Sequence, residues 1–370
     1  MLLDAFTFDS SYNTSDYYDY GLLINRAPVQ VIIDDGALSG FNIGGATVSR
    51  QIPNSQLVTG EFFSGVRLRV VDTSLGGNVG VVSWYSPNGI RQVQLYLYSD
   101  GSVALYRGGN DELLGYRVST GQTGGALFNP LAWNYFEVGV TLGTNAYAEI
   151  RVNGQSIMAV SGVNTQGDPS SNQVQGITFG SDGGGFSMSA KDYYICDGNF
   201  SGASTNYFLG DIKVLSLFPT GPGDFTQFTS SLADAYPAEF IPAHTSPNWQ
   251  NVAHAPPQPT ATVLSSGQNI GPYYNYSNTV GAVDSFTTAG IPAQYPTIYG
   301  AVVNVLAGKS DAGTERLNAG VISHGQLGLS VGYSVGSESY VSFVMERDPI
   351  TGEFWTRDTL NAAQPAYRIG

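Results

Sequence analysis

The sequence has one cysteine and three histidines among its 370 residues. A single Cys196 excludes an internal disulfide and any metal site built from several cysteines. Its neighbours are aromatic and apolar, so we interpret it as a small buried side chain. A catalytic thiol needs a histidine partner. Because His244, His254 and His324 all lie in the other half of the chain, we do not expect a cysteine–histidine site.

Positive charge is also scarce, with 15 Lys and Arg against 29 Asp and Glu and a net charge of -14. Phosphate groups would be repelled by this excess, so we expect no nucleic-acid partner.

No apolar run is long enough to cross a membrane, and we expect no membrane insertion. Residues 1–6 lack the basic segment of a signal peptide, which predicts synthesis in a cytoplasm without this export signal.

Alternating polarity is the strongest pattern in the chain, and it is clearest over residues 134–160. Apolar positions alternate with polar ones in two runs, which places Glu137 and Glu149 on the outward side. Between the second and third runs, Asn153-Gly154 has the residues of a two-residue type I′ hairpin. The pattern predicts a β-meander with one buried face, and a second sheet must cover that face.

The composition predicts an all-β protein, because 47 glycines and only 12% charged residues are typical of short strands and tight turns. We predict two antiparallel β-sandwich (jelly-roll) domains, at residues 1–218 and 260–370, the second being smaller. A Pro-rich extended connector is expected at residues 219–259, anchored by aromatic residues such as Phe225 and Trp249. Residues 356–363 are consistent with a short helix.

Two groups of tyrosines are candidate ligand contacts. The run Asp16-Tyr17-Tyr18-Asp19-Tyr20 combines aromatic faces with carboxylates, as sugar-binding loops do, although a solvated loop or a subunit contact is the simpler interpretation.

Tyr96, Tyr98 and Tyr106 are expected to form an outward aromatic row on one sheet. Such a row suits stacking against a ligand, but cross-strand aromatic pairs also stabilise sheets by themselves, and we favour the structural role.

Asp34-Asp35-Gly36 follows a predicted strand and could offer oxygen ligands to Ca²⁺. Since that ion takes six to eight oxygens, two adjacent acids are a weak signal, and a simple turn is the favoured interpretation. We therefore predict no cofactor, with Ca²⁺ left open at this position, and assign no metal-ligating residue.

Three stretches of the sequence resemble a group of tailed-bacteriophage structural proteins: residues 133–154, 192–198 and 208–212. The N-terminal part of those proteins is similar to the concanavalin-like, laminin-G-type jelly roll. Residues 219–225, Trp249, Asp348-Pro349 and Trp355 fit the continuation of the same group. The resemblance implies a virion protein, assembled in the host cytoplasm, that contacts other virion proteins and forms a homo-oligomer.

Catalytic patterns are not found. Glycosidases of concanavalin-like fold carry two acids on one strand, two residues apart, whereas Glu137 and Glu149 lie on successive strands and Asp111-Glu112 are adjacent. The sequence has no nucleophile elbow, zinc-protease motif or phosphate-binding loop. Glu346-Arg347-Asp348 is interpreted as a solvated charge cluster at a strand end. We predict that the protein is not an enzyme and assign no catalytic or cofactor-binding residue.

The expected function is a phage virion structural protein, tail- or fibre-associated, that acts in particle assembly and in recognition of a host-surface glycan. A capsid decoration protein is the first alternative. Two others are a free carbohydrate-binding lectin, with calcium near Asp34-Asp35, and a glycan depolymerase that uses Glu137 or Glu149.

Overall fold

The computed structural model of the protein divides into two compact units, Met1–Ser216 and Leu217–Gly370. The described residues are 2–6, 22–25, 30–34, 37–44, 47–52, 58–70, 78–98, 100–108, 112–117, 127–129, 132–180, 187–198, 208–215, 217, 219–230, 248, 275–308, 313–335 and 339–370. Within them, no helix is long and apolar enough to span a membrane.

In its described part, the first unit is built of β-strands. In chain order these are β1 (Leu2–Phe6), β2 (Leu22–Asn25), β3 (Gln30–Asp34), β4 (Ala37–Gly44), β5 (Thr47–Gln51), β6 (Val58–Thr59), β7 (Glu61–Val70), β8 (Asn78–Tyr85), β9 (Arg91–Tyr98), β10 (Val103–Arg107), β11 (Glu112–Arg117), β12 (Asn134–Thr141), β13 (Ala146–Val152), β14 (Gln155–Val163), β15 (Gln173–Val174), β16 (Gly176–Gly180) and β17 (Ser187–Asp197).

Two large antiparallel sheets and the small two-stranded sheet β15-β6 make up the described part of the first unit. The first sheet has the order β14-β13-β12-β7-β17-β4-β3, with β1 also paired to β17, and the second has the order β11-β10-β9-β8-β16-β5-β2. Their inner faces pack together: the rings of Phe62 and Trp84 are 5.6 Å apart, and those of Phe179 and Tyr193 are 5.2 Å apart. The predicted all-β sandwich fold is confirmed.

The predicted meander is formed by β12, β13 and β14. Val138 is opposite Ile150 in the β12–β13 pair, as the alternation requires. The turn between β13 and β14 has φ of 50° at Asn153 and 80° at Gly154, both in the left-handed region that a type I′ turn needs. The Asn153 side chain also accepts a hydrogen bond from the Tyr135 backbone N–H at 2.9 Å, which ties the turn to β12.

One part of the meander prediction was wrong. We expected a single buried face, but β12 is buried on both sides: Tyr135 and Glu137 on the outward side are 0% and 1% exposed. The chain returns over this face after β17, and Phe208 and Leu209 are themselves buried there. A covering segment so far along the sequence leaves no mark on the local polarity pattern.

The second unit contains strands and one short helix in its described part. These are β18 (Pro219–Thr226), β19 (Thr229–Ser230), β20 (Asn275–Tyr276), β21 (Val283–Thr288), β22 (Ala301–Ala307), β23 (Arg316–Ser323), β24 (Gln326–Leu329), β25 (Tyr333–Ser334), β26 (Ser339–Met345), α1 (Arg357–Ala362) and β27 (Gln364–Ile369).

The main sheet of this unit has the order β18-β21-β27-β23-β24, with β25 also paired to β23. Two separate two-stranded sheets are formed by β19 with β20 and by β22 with β26. The main sheet and the β22–β26 sheet share a core, in which Phe286 and Leu317 of the main sheet pack with Val341 of β26. The predicted helix is found at α1, where Thr356 and Thr359 form a reciprocal capping box.

The connector prediction was wrong at its start. Residues 219–226, expected to be an extended link, form the edge strand β18 of the main sheet, where Pro222 is opposite Phe286. Two register shifts interrupt this pairing, and proline is tolerated because it lies on a sheet edge. The strand expected at residues 260–264 lies outside the described residues.

We predict that G154A lowers the free energy of unfolding by about 1–2 kcal/mol, because alanine is strained at positive φ. G143A is the matched control: Gly143 is not among the positive-φ residues, and a Cβ there would come no closer than 3.8 Å to another side chain. Chemical denaturation of the two variants measures the difference. Equal losses would contradict the type I′ assignment.

Candidate functional site

The outer face of the second sheet carries an uncharged row of side chains across five strands. Tyr106, Gln94, Ser83, Thr178 and Ser49 are successive cross-strand neighbours on β10, β9, β8, β16 and β5. The hydroxyl oxygens of Ser49 and Thr178 are 3.0 Å apart and share a hydrogen bond. Hydroxyl and amide groups therefore follow one another along this line, which we call the polar row.

Three half-buried tyrosines stand at the β10 end of the polar row. The ring centroids of Tyr96 and Tyr106 are 4.6 Å apart at an interplanar angle of 58°, and the hydroxyl oxygens of Tyr98 and Tyr106 are 3.1 Å apart. The structure thus brings together the three tyrosines that the alternation of β9 and β10 placed on one face. We call them the tyrosine row.

Gln94 lies in a space that a glycine provides. It is 3% exposed, and a Cβ at Gly80 would lie 2.0 Å from its Nε2 atom. Its Oε1 atom is buried, and none of the described residues donates a hydrogen bond to it. Buried acceptors are rarely left unpaired, because the lost hydration is not recovered. The polar row therefore contains an acceptor with unused capacity beside Tyr106.

A shallow groove of about 190 Å³ lies at the opposite end of the polar row. Ser49 and Thr178 line it together with Gln51, Tyr85 and Gln175. The groove and the tyrosine row therefore lie at the two ends of one continuous, uncharged line of side chains.

A buried aspartate orders the turn beside this groove. Asp168 is 1% exposed and accepts hydrogen bonds from Ser86 Oγ at 2.6 Å and from Asn88 Nδ2 at 2.9 Å. Hydrogen bonds from Ser170 and Ser86 hold its pKa well below the usual range for an aspartate. Asp168 therefore stays ionised and serves as an acceptor, which makes it unsuited to donating a proton.

The outer face of the first sheet is closed by residues 208–214, which we call the strap. Glu137 on β12 accepts hydrogen bonds from the Tyr194 hydroxyl at 2.7 Å and from the Gly210 backbone N–H at 2.8 Å. The Tyr194 hydroxyl in turn accepts from the Leu209 backbone N–H at 3.0 Å. Burial raises the pKa of Glu137, because removal from water disfavours its charged form.

A second anchor holds the other end of the strap. Asp192 is 0% exposed and accepts from the Val214 backbone N–H at 3.1 Å and from Arg67 Nε at 3.2 Å. Arg67 also pairs with Asp211 of the strap itself. Both ends of the strap are therefore attached to carboxylates of the first sheet.

Glu149, the other acid considered for catalysis, is also occupied. Arg151 Nε donates to it at 2.7 Å, and the Tyr147 hydroxyl donates to its second oxygen. Burial alone would raise its pKa, but hydrogen bonds from Arg151, Tyr147 and Ser156 outweigh this and lower the pKa of Glu149. Glu137 and Glu149 thus have opposite pKa shifts and different hydrogen-bond partners.

The remaining described residues from the sequence analysis lie on different strands and turns. Cys196 is 0% exposed on β17, which confirms the interpretation as a buried side chain. Asp348, expected in a solvated cluster, is instead 2% exposed and accepts from the Ile350 backbone N–H at 2.8 Å and from Ser323. Its neighbour His324 is at the β23–β24 turn, with Nε2 3.6 Å from Asp348 Oδ2.

Several predicted positions lie outside the described residues. These are residues 16–20, Asp35, Gly36, Asp111, His244, Trp249 and His254. Asp34 is the last residue of β3, and only its backbone is described.

Comparison with known proteins identifies no family. No family model matches the chain, and no curated protein matches it. Similar solved structures include an alginate lyase in complex with an alginate trisaccharide (12% identity, TM-score 0.36, 53% of this chain and 98% of that chain). An alginate lyase from a Chlorella virus has 10% identity and a TM-score of 0.38, over 53% of this chain and 99% of that one.

The binding domain of botulinum neurotoxin serotype D is similar at 11% identity and a TM-score of 0.37, over 52% of this chain and 47% of that chain. At such low identities and TM-scores, these similarities give no basis for assigning a function.

We predict that E137Q leaves the protein at least as stable as the wild type at neutral pH, since the amide oxygen can accept the same two hydrogen bonds without a buried charge. With its pKa raised, Glu137 contributes stability that is fully present below its ordinary pKa of 4.5 and is lost as the pH rises through the folded-state value. Denaturation curves over this range should fall with pH for the wild type and flatten for E137Q.

E149Q is the matched variant, because the pKa shift of Glu149 has the opposite sign and its charge is paired with Arg151. It should lose stability at neutral pH. E137A removes both acceptor bonds and should cost about 1–3 kcal/mol, since Tyr194 and Gly210 keep buried donors without acceptors. A larger loss for E137Q than for E149Q would contradict these assignments.

Proposed function

We propose that this protein is a non-enzymatic structural protein of a tailed-bacteriophage particle, associated with the tail or a fibre. In this role it contributes to particle assembly and recognises a host-surface glycan. The observation that carries the recognition role is the outer face of the second sheet, where the tyrosine row continues into the uncharged polar row. The glycan would bind along this face.

The chemistry of this face fits a neutral carbohydrate. Pyranose rings present apolar C–H patches that stack on aromatic rings, and their hydroxyls need hydrogen-bonding groups such as those of the half-buried Thr178 and Ser49. None of the five residues of the polar row is charged, so an anionic sugar would gain no ion pair from the row itself. Arg50 lines the groove at the end of the row, but it is only 4% exposed. Successive strands are about 4.8 Å apart, so the row offers one polar group at each such step.

The state of the acids supports recognition rather than hydrolysis. A glycosidase needs two carboxyl groups that face the scissile bond, one of them able to donate a proton. Here Glu137 and Asp192 hold the strap, and Glu149 is paired with Arg151. Asp168 orders a turn and remains ionised.

The phage assignment is supported by the sequence resemblance. Many of the residues that carry it, in the meander, part of β17 and the strap, are hydrogen-bonded to one another in the first unit. The resemblance rests on scattered glycine, aspartate and aromatic positions, and it continues at residues 219–225, Trp249, Asp348-Pro349 and Trp355.

The glycan role is tested with Y96A and Y106A on immobilised host-surface polysaccharide. We expect each substitution to weaken binding about tenfold, or about 1.4 kcal/mol, because each removes one stacking surface. Y276A is the matched control, since Tyr276 is a 39% exposed tyrosine that belongs to the second unit. Unchanged binding by both variants would contradict the glycan site, and release of new reducing ends would contradict a non-enzymatic role.

The structural role is tested by locating the protein on purified particles, by immunogold labelling or particle reconstruction. We expect it on tails or fibres. Its absence from particles would contradict the virion assignment, and its presence on heads alone would instead indicate a capsid decoration protein.

A further inference from the structure

The main sheet and the β22–β26 sheet of the second unit differ in how their edges are protected. Exposed edges of sheets attract further strands, and proteins usually block them with proline, charge, bulges or short length. Edge strand β18 of the main sheet has Pro219, Pro222 and two register shifts, and the opposite edge strand β24 has only four residues. Strand β22 has seven residues with no proline, glycine or charge, and in the described part of the chain it pairs only with β26.

The sequence of β22 is almost the same in both directions. Read forwards it is Ala-Val-Val-Asn-Val-Leu-Ala, and read backwards it is Ala-Leu-Val-Asn-Val-Val-Ala. Asn304 is the centre of this symmetry. An antiparallel pair of two such strands would match alanine with alanine, valine with valine, and valine with leucine at the two remaining positions.

The faces of β22 are already fixed by the core. Val303 and Val305 pack into the core of the second unit, which places Val302 and Asn304 on the other side of the strand. Asn304 Oδ1 accepts a hydrogen bond from Ser342 Oγ on β26 at 2.6 Å. Its Nδ2 group has no acceptor in the described part of the chain, so one half of the amide is unused.

We propose that two copies of this chain pair through β22, antiparallel and across a two-fold axis at Asn304. The two small sheets would then join into one four-stranded sheet with the order β26-β22-β22-β26. Such an interface is isologous, because both copies use the same strand. Asn304 meets Asn304 of the second copy, and every other residue of β22 meets the residue that lies equally far on the other side of Asn304. No like charges oppose each other, since neither copy brings a charge to the edge.

Asn304 fixes the register of this pair. At the two-fold axis the two amides are direct neighbours, and each Nδ2 can donate to the other Oδ1. A shift by one residue would place core-facing positions opposite outward ones. A shift by two would place the amide of Asn304 opposite Val302, where it finds no partner.

A cysteine cross-link tests this geometry directly. Directly opposed Cα atoms in an antiparallel pair are about 4.5–5.5 Å apart, within the range that a disulfide spans. N304C should therefore form a disulfide-linked dimer under mild oxidation. The native Cys196 is 0% exposed and does not compete in the folded protein.

S342C is the matched control. Ser342 lies on the same outer side, directly beside Asn304 on β26. In the proposed dimer its two copies are three strand spacings apart, about 14 Å, which is too far for a disulfide. S342C should remain a monomer on a non-reducing gel, while N304C should run as a dimer.

Light scattering on the full chain completes the experiment. The wild type should have the mass of a dimer, and N304D should dissociate because it places two carboxylates at the axis. A wild type that is monomeric at the highest soluble concentration would overturn the proposal, and so would equal cross-linking of N304C and S342C. A dimer that persists in N304D, together with no cross-link in N304C, would show that the two copies pair through another surface and would also overturn it.

Discussion

The first unit depends on a hydrogen-bond acceptor of an acidic side chain that is buried rather than exposed to solvent. Glu137 lies on the outer side of β12, yet it is 1% exposed, because the strap crosses over it. A buried acid is costly, and its two hydrogen bonds, from Tyr194 and Gly210, offset that cost. Tyr194 also accepts from Leu209, so sheet, tyrosine and strap are joined in one network. The sandwich thereby gains a partial third layer on one side.

This layer makes the two outer faces of the sandwich chemically different. On the first sheet, acids and arginines are engaged in holding the strap, as Asp192 and Arg67 illustrate. On the second sheet, tyrosines, hydroxyls and an amide form an uncharged surface with a groove at one end. The two faces differ because the strap covers the outer face of the first sheet. We therefore expect a ligand to bind to the outer face of the second sheet.

The sequence predicts the parts of this architecture that depend on neighbours along the chain. Asn153-Gly154 identifies its turn because both residues must adopt positive φ, and the tyrosine row follows from alternation within β9 and β10. The burial of Glu137 could not be predicted, because its partner Gly210 is 73 residues away. Strand β18 was mistaken for a connector because its prolines are typical of links, and only its pairing with β21 reveals an edge strand.

Amide hydrogen exchange at Leu209 and Gly210 measures directly whether the Glu137–Tyr194 network holds the strap. If the Glu137–Tyr194 network holds the strap, both N–H groups should exchange as slowly as those of β12 in the wild type. Y194F keeps the ring but removes the hydroxyl, and it should speed exchange at Leu209 and Gly210 while leaving the β12 amides slow. Rapid exchange of the two strap amides in the wild type would contradict the account.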